Sequence, residues 1–173
     1  RNYSGYTAKP GAQHINDIKI RDIGGGNSEI YVAAGSTFYS QASPSVFLGA
    51  EDFGLYKSIN NGTSWSKLTL LPSSNSNDYQ LQPNDIEISA DNTVWVSTTN
   101  DIFGNGGSEI LSSTDGTNFN LKYKVPSGER SQIAVSLTNP SKIYILAELA
   151  TGSTNGVKIV YTDDAFATNT SLP

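Results

Sequence analysis

Two aspartates stand at matching places in a repeated segment, Asp17 in Ile15-Asn16-Asp17-Ile18-Lys19-Ile20 and Asp85 in Asn84-Asp85-Ile86-Glu87-Ile88, and two more acids, Glu51 and Asp52, sit together further along. Paired carboxylates are what glycoside hydrolysis requires, about 5–5.5 Å apart for retention and roughly 6.5–9.5 Å for inversion. The same residues have a plainer use, because a short carboxylate at the start of a strand closes on neighbouring backbone amides. Recurrence in two units favours that structural use for Asp17 and Asp85. Other chemistry has fewer residues to draw on. There is no cysteine, and the single histidine, His14, stands ahead of a strand without a second ligand or a base to work with. Gly24-Gly25-Gly26 joins two strands rather than a strand and a helix, so it reads as a hairpin loop and not as a phosphate cradle. The loop Asn100–Gly107 offers oxygen donors for Ca²⁺, Asp101 and Asn105 first among them. Its spacing departs from that of an EF-hand, and a solvated loop is the expectation; Asp163-Asp164 is a weaker calcium candidate still. No cofactor is expected.

The elements that would position these residues repeat. Leu55-Tyr56-Lys57-Ser58-Ile59-Asn60-Asn61-Gly62-Thr63-Ser64-Trp65 and Glu109-Ile110-Leu111-Ser112-Ser113-Thr114-Asp115-Gly116-Thr117-Asn118-Phe119 carry Ser, Gly and an aromatic at the same spacing. Asn-Gly and Asp-Gly accept the positive φ of a tight turn, so each segment is a hairpin. Upstream of each hairpin lie two period-two runs, 15–20 with 29–33 and 84–88 with 93–97. A third copy follows at 132–136, 142–146 and 157–161, with its turn reduced to Thr162-Asp163-Asp164-Ala165-Phe166, lacking both the Gly and the aromatic at the expected place. Ile18, Ile86 and Ile133 are separated by 68 and 47 residues. The first interval carries two insertions, about Ser36 to Phe53 and Pro72 to Pro83. Fourth strands are expected at Lys67–Leu71, at Leu121–Val125, and at or beyond the C-terminus. Units of about 40 to 50 residues with four short strands are propeller blades. The expected fold is all-β, an incomplete ring of about three four-stranded antiparallel blades at 12–71, 83–126 and 130–173.

The hairpins resemble the Asp-box, or BNR repeat, Ser-x-Asp-x-Gly-x-x-Trp. Ser58, Asn60, Gly62 and Trp65 match it with Asn for Asp; Ser112, Gly116 and Phe119 match with Thr114 at the Asp position and the acid moved to Asp115. The strand-and-box phrasing is similar to the xyloglucanase and sortilin-like propellers, including those of large secreted proteins of gliding bacteria, and this implies type IX secretion cargo. In that family the box closes a turn on the face away from the active site. The resemblance therefore implies a structural role for Ser58, Asn60, Gly62, Trp65, Ser112, Asp115, Gly116 and Phe119. Sialidases share the box but bind their substrate with three arginines and carry Arg-Ile-Pro. Here that motif is absent and Arg1, Arg21 and Arg130 are the whole complement.

Composition bounds the partners. A net charge of −5 with pI near 4.7 argues against nucleic acid and anionic membranes. No apolar run is long enough for membrane insertion. The first unit's long loop is rich in aromatics, Phe38, Tyr39, Phe47 and Phe53 beside Glu51 and Asp52, which either stack on a sugar or fill the space under the loop. Two functions follow: a non-catalytic scaffold or protein- or glycan-binding platform of a secreted or cell-surface bacterial protein, and the N-terminal portion of a xyloglucanase-like glycoside hydrolase. Three blades do not close a ring, and the chain opens on Arg with no Met. The expectation is a piece of a longer protein whose partner is the remainder of the propeller or a covering protein, and which is not a stable monomer alone.

Overall fold

The computed structural model describes residues 14–35, 52–72, 79–101, 105–150, 152 and 156–172. Phe38, Tyr39, Phe47 and Glu51 lie outside the described residues. Every element among the described residues is a strand: β1 (His14–Gly24), β2 (Asn27–Gly35), β3 (Gly54–Ser58), β4 (Ser66–Leu68), β5 (Gln82–Ile88), β6 (Val94–Thr99), β7 (Glu109–Ser113), β8 (Asn120–Lys124), β9 (Gly128–Val135), β10 (Ile143–Leu149), β11 (Val157–Thr162) and β12 (Thr170–Leu172). Within each unit successive strands pair antiparallel, giving three up-and-down meanders of four strands. The second and third meanders touch at one ladder position, Thr99 against Arg130, and where Asn100 N donates to Glu129 O at 2.7 Å. The third unit's fourth strand falls at the very end of the chain, as β12.

Alternation along β6 decides how the sheets stack. Val94 and Val96 are buried with Tyr31, Ala33 and Leu55 of the first sheet, whereas Trp95 is buried with Ile133, Ile143 and Ile145 of the third. The middle sheet is therefore packed on both faces. Each sheet has a leading face, turned toward its predecessor, and a trailing face, turned toward its successor. In the first sheet the trailing face of β1 carries Asp17, Lys19 and Arg21, and these polar residues, not Ile18 and Ile20, meet the second sheet. Apolar burial between the sheets comes instead from β2 and β3, where Tyr31 and Leu55 have no solvent exposure.

Candidate functional site

The two repeated aspartates join one blade to the next. In β1 the register slips between Ile15 and Asp17, and in β5 between Pro83 and Asp85, so a β-bulge falls on Asn16 and on Asn84. A bulge breaks the alternation of side chains and lets two successive residues reach the same neighbour. Asn16 Nδ2 donates to Pro83 O at 3.0 Å and Ile86 N donates to Asp17 Oδ2 at 3.0 Å. One unit on, Asn84 Nδ2 donates to Ser131 O at 2.7 Å and Ile133 N donates to Asp85 Oδ2 at 2.8 Å. Each pair satisfies backbone groups on the innermost strand of the next sheet, an edge that would otherwise carry unpaired amides. Around them lie Glu87 and Lys19, paired at 3.2 Å. Burial raises the Asp85 carboxyl to about 6 against the pull of the Ile133 amide, and the nearby Asp17 and Glu87 charges add to the rise. A carboxylate occupied by backbone in this way holds structure; the structural use expected for Asp17 and Asp85 is the one their bonds serve.

The three β3–β4-type turns lie at one end of the sheets. Ser58 Oγ accepts from Gly62 N at 2.9 Å and donates to Asn60 Oδ1 at 3.0 Å, and Asn60 Oδ1 in turn accepts from Ser64 N at 2.9 Å. In the second unit the hydroxyl is Ser113, which donates to Asp115 Oδ1 at 2.8 Å. The alignment on Ser112 is thus displaced by one residue. The ladders give the reason: Ser58 pairs with Ile30 and Ser113 with Val94, while the return strand begins eight residues after Ser58 but seven after Ser113. Matching Gly116 and Phe119 from the far side of a shortened turn carries the error back to Ser112. Asp115 keeps its task, accepting from Thr117 N and Asn118 N at 2.8 Å each, and these amides hold its carboxyl well below the usual carboxylate range.

The third turn is not degraded. Thr162 Oγ1 donates to Asp164 Oδ1 at 2.7 Å and accepts from Phe166 N at 3.0 Å, and Thr168 N donates to Asp164 Oδ1 at 2.8 Å. That is the Ser58–Asn60–Ser64 arrangement residue for residue. Ala165 and Phe166 take φ of 56° and 69°, where Asn61 and Gly62 take 55° and 81°. A non-glycine residue at positive φ is strained. Here the Phe166 ring stacks on Tyr123 with centroids 5.2 Å apart and meets Trp95 edge-on at 6.1 Å, which offsets the cost.

A buried ionic cluster, not foreseen from sequence, seats the second turn on the first sheet. Glu29 lies between Lys57, 2.6 Å from Oε1, and Arg21, 3.2 Å from Oε2, and accepts from Tyr31 Oη at 2.6 Å. Arg21 Nη2 donates to Thr114 O at 2.6 Å and Lys57 Nζ to Gly116 O at 3.1 Å. Burial pushes the Glu29 carboxyl up, but the Lys57 and Tyr31 hydrogen bonds and the two cations outweigh it and leave it lowered. Burial and the Glu29 carboxylate raise the Tyr31 phenol. The signal was present as Arg21 and Glu29, which face each other across the β1–β2 hairpin.

Asp52 is exposed and its carbonyl accepts from Tyr56 Oη at 2.9 Å, whereas Phe53 is buried with Lys67 Nζ 5.2 Å from its ring centre. Trp65 is 42 % exposed and Phe119 half-buried against the core between the first two sheets. Asp101 accepts from Asn105 Nδ2 through both oxygens, at 3.0 and 2.8 Å, closing that loop on itself. No group of three or more His, Cys, Asp or Glu able to hold a metal occurs among the described residues.

No family model and no curated protein matches the chain. Among solved structures it is similar to the GH74 xyloglucanase from Xanthomonas campestris, with a TM-score of 0.54 and 16 % identity over 84 % of this chain and 19 % of that enzyme. At that identity the likeness is one of fold, and the chain spans about a fifth of the enzyme's length. The architecture is an all-β arc of propeller type, with its ring incomplete.

Proposed function

We propose that the chain is a non-catalytic propeller segment of a secreted or cell-surface bacterial protein, a rigid scaffold whose loops opposite the Ser58, Ser113 and Thr162 turns present a protein or glycan ligand. The turns themselves are Asp-box turns in this reading, and the export route is the type IX pathway. One observation carries the proposal: Asp17 and Asp85, the acids that recur from unit to unit, are spent on the amides of Ile86 and Ile133 in the next blade. A general acid or nucleophile must instead meet the scissile bond. The fold likeness to a xyloglucanase favours the second reading, the N-terminal portion of a glycoside hydrolase with a cleft built partly elsewhere. Incubation with xyloglucan separates the two. The scaffold reading expects no reducing ends to be released by this chain. Release that is lost in Asp85→Asn, in a variant that melts no lower than the wild type, would overturn it.

A further inference from the structure

An apolar groove of about 580 Å³ runs along the leading face of the first sheet between Ile15, Ile18, Val32, Asp52, Tyr56 and Trp65. Its residue types suit a sugar or lipid. The repeat identifies it differently. By ladder register, Ile18 corresponds to Ile86 and Ile133, Val32 to Val96 and Ile145, and Tyr56 to Leu111 and Val160. Ile86, Val96, Leu111, Ile145 and Val160 are 0–1 % exposed and Ile133 5 %, each packed against the preceding sheet, whereas Ile18 is 58 % exposed. The backbone repeats the pattern. Ile86 N and Ile133 N are taken by the aspartate of the preceding blade, but Ile18 N donates to Oδ1 of its own neighbour Asp17 at 2.8 Å.

We propose that this face is the seat of a further antiparallel blade of the same repeat, whose innermost strand carries a bulged Asn-Asp that delivers a carboxylate to Ile18 N. A second copy of this chain does not fit the description. Among the described residues its uncovered trailing face is that of the third blade, where Ser131-Gln132 replaces Asn-Asp and no bulge falls at Ser131. The interaction is thus directional: the first blade receives a carboxylate from a bulged Asn-Asp, and the innermost strand of the third offers Gln132 in its place. The inference rests on the repeat geometry alone and stands whether or not the scaffold reading does.

Two extended chains test it, one with residues 12–71 duplicated ahead of residue 12 and Trp65→Phe in the added copy, the other with residues 82–126 duplicated there. Acrylamide quenching of the original Trp65 is the readout, since Trp95 is buried already. Several-fold weaker quenching than in the unextended chain is expected in at least one of them, and Asp17→Ala in the added 12–71 copy, or Asp85→Ala in the added 82–126 copy, should restore it. Quenching unchanged in both chains, or weakened but indifferent to the aspartate, would overturn the proposal. So would sedimentation of the unextended chain as a discrete dimer dissolved by Ile18→Asp and equally by Leu146→Asp, because the occupant would then be a second copy.

Discussion

Replacing Asp85 by asparagine should make the protein more stable at neutral pH. The carboxyl titrates at about 6 in the folded chain against 3.8 when unperturbed, first because it is half-buried and then because Asp17 and Glu87 lie beside it. Its folded pKa is raised, so its favourable contribution is complete below the unfolded value and is lost as pH climbs through about 6. A shift of about two units corresponds to roughly 3 kcal/mol. Partial exposure screens the charge, and about half of that, ~1–2 kcal/mol, is the reasonable expectation. Asparagine keeps an acceptor oxygen for Ile133 N and removes the charge. Thermal melts followed by circular dichroism at pH 3, below the unfolded value, and at pH 8 read the difference. The variant should match the wild type at the lower pH and exceed it at the higher by about 3–6 °C, using ~2–4 °C per kcal/mol for a chain of this size. A variant that melts lower than wild type at pH 8 would refute the reasoning, since the ionised carboxylate would then be holding the blades together.

Other substitutions separate packing from conformation. A Cβ at Gly116 would collide with Tyr31 Oη, Arg21 Nη1 and Glu29 Oε2, whereas one at Gly62 meets only the Trp65 ring at 3.6 Å. Urea denaturation should therefore show Gly116→Ala costing more than about 3 kcal/mol and Gly62→Ala only about 1, the price of positive φ alone. Ala165→Gly should raise stability by about 0.5–1 kcal/mol in the same assay, because it relieves φ of 56° without touching the Phe166 stack. Ser113→Ala should cost about 1 kcal/mol, the net worth of its bond to Asp115, and equal stability of the variant and wild type would count against the turn described for the second unit.

The strands were legible because alternation at period two survives in every unit, and Gly24-Gly25-Gly26, with φ of 81°, 65° and 77°, is the hairpin loop its setting between two strands implies. What escaped depends on three-dimensional neighbours. The off-by-one at Ser112 comes from a turn shortened by one residue, which sequence alignment absorbs on either side with equal ease. The third turn looks degraded in the sequence because glycine is the usual sign of positive φ, while the compensation at Phe166 comes from Trp95 and Tyr123, both distant in sequence. Arg21, Glu29 and Lys57 look like solvated charges on strands until the sheet they face is known. Asp17 and Asp85 are recognisable in the sequence as equivalent carboxylates that bond backbone; the identity of that backbone, one blade onward, is a property of the stacking.

The most direct test of the blade-to-blade bond is the pH dependence of two amide protons in a ¹⁵N-labelled sample. Ile133 N–H, which donates to Asp85, should shift with a midpoint near 6. Both it and Ile86 N–H, which donates to Asp17, should exchange slowly with solvent despite lying on inner strands. Two amides that exchange as fast as those of exposed loops, with shifts indifferent to pH between 4 and 8, would contradict the stacking of the blades.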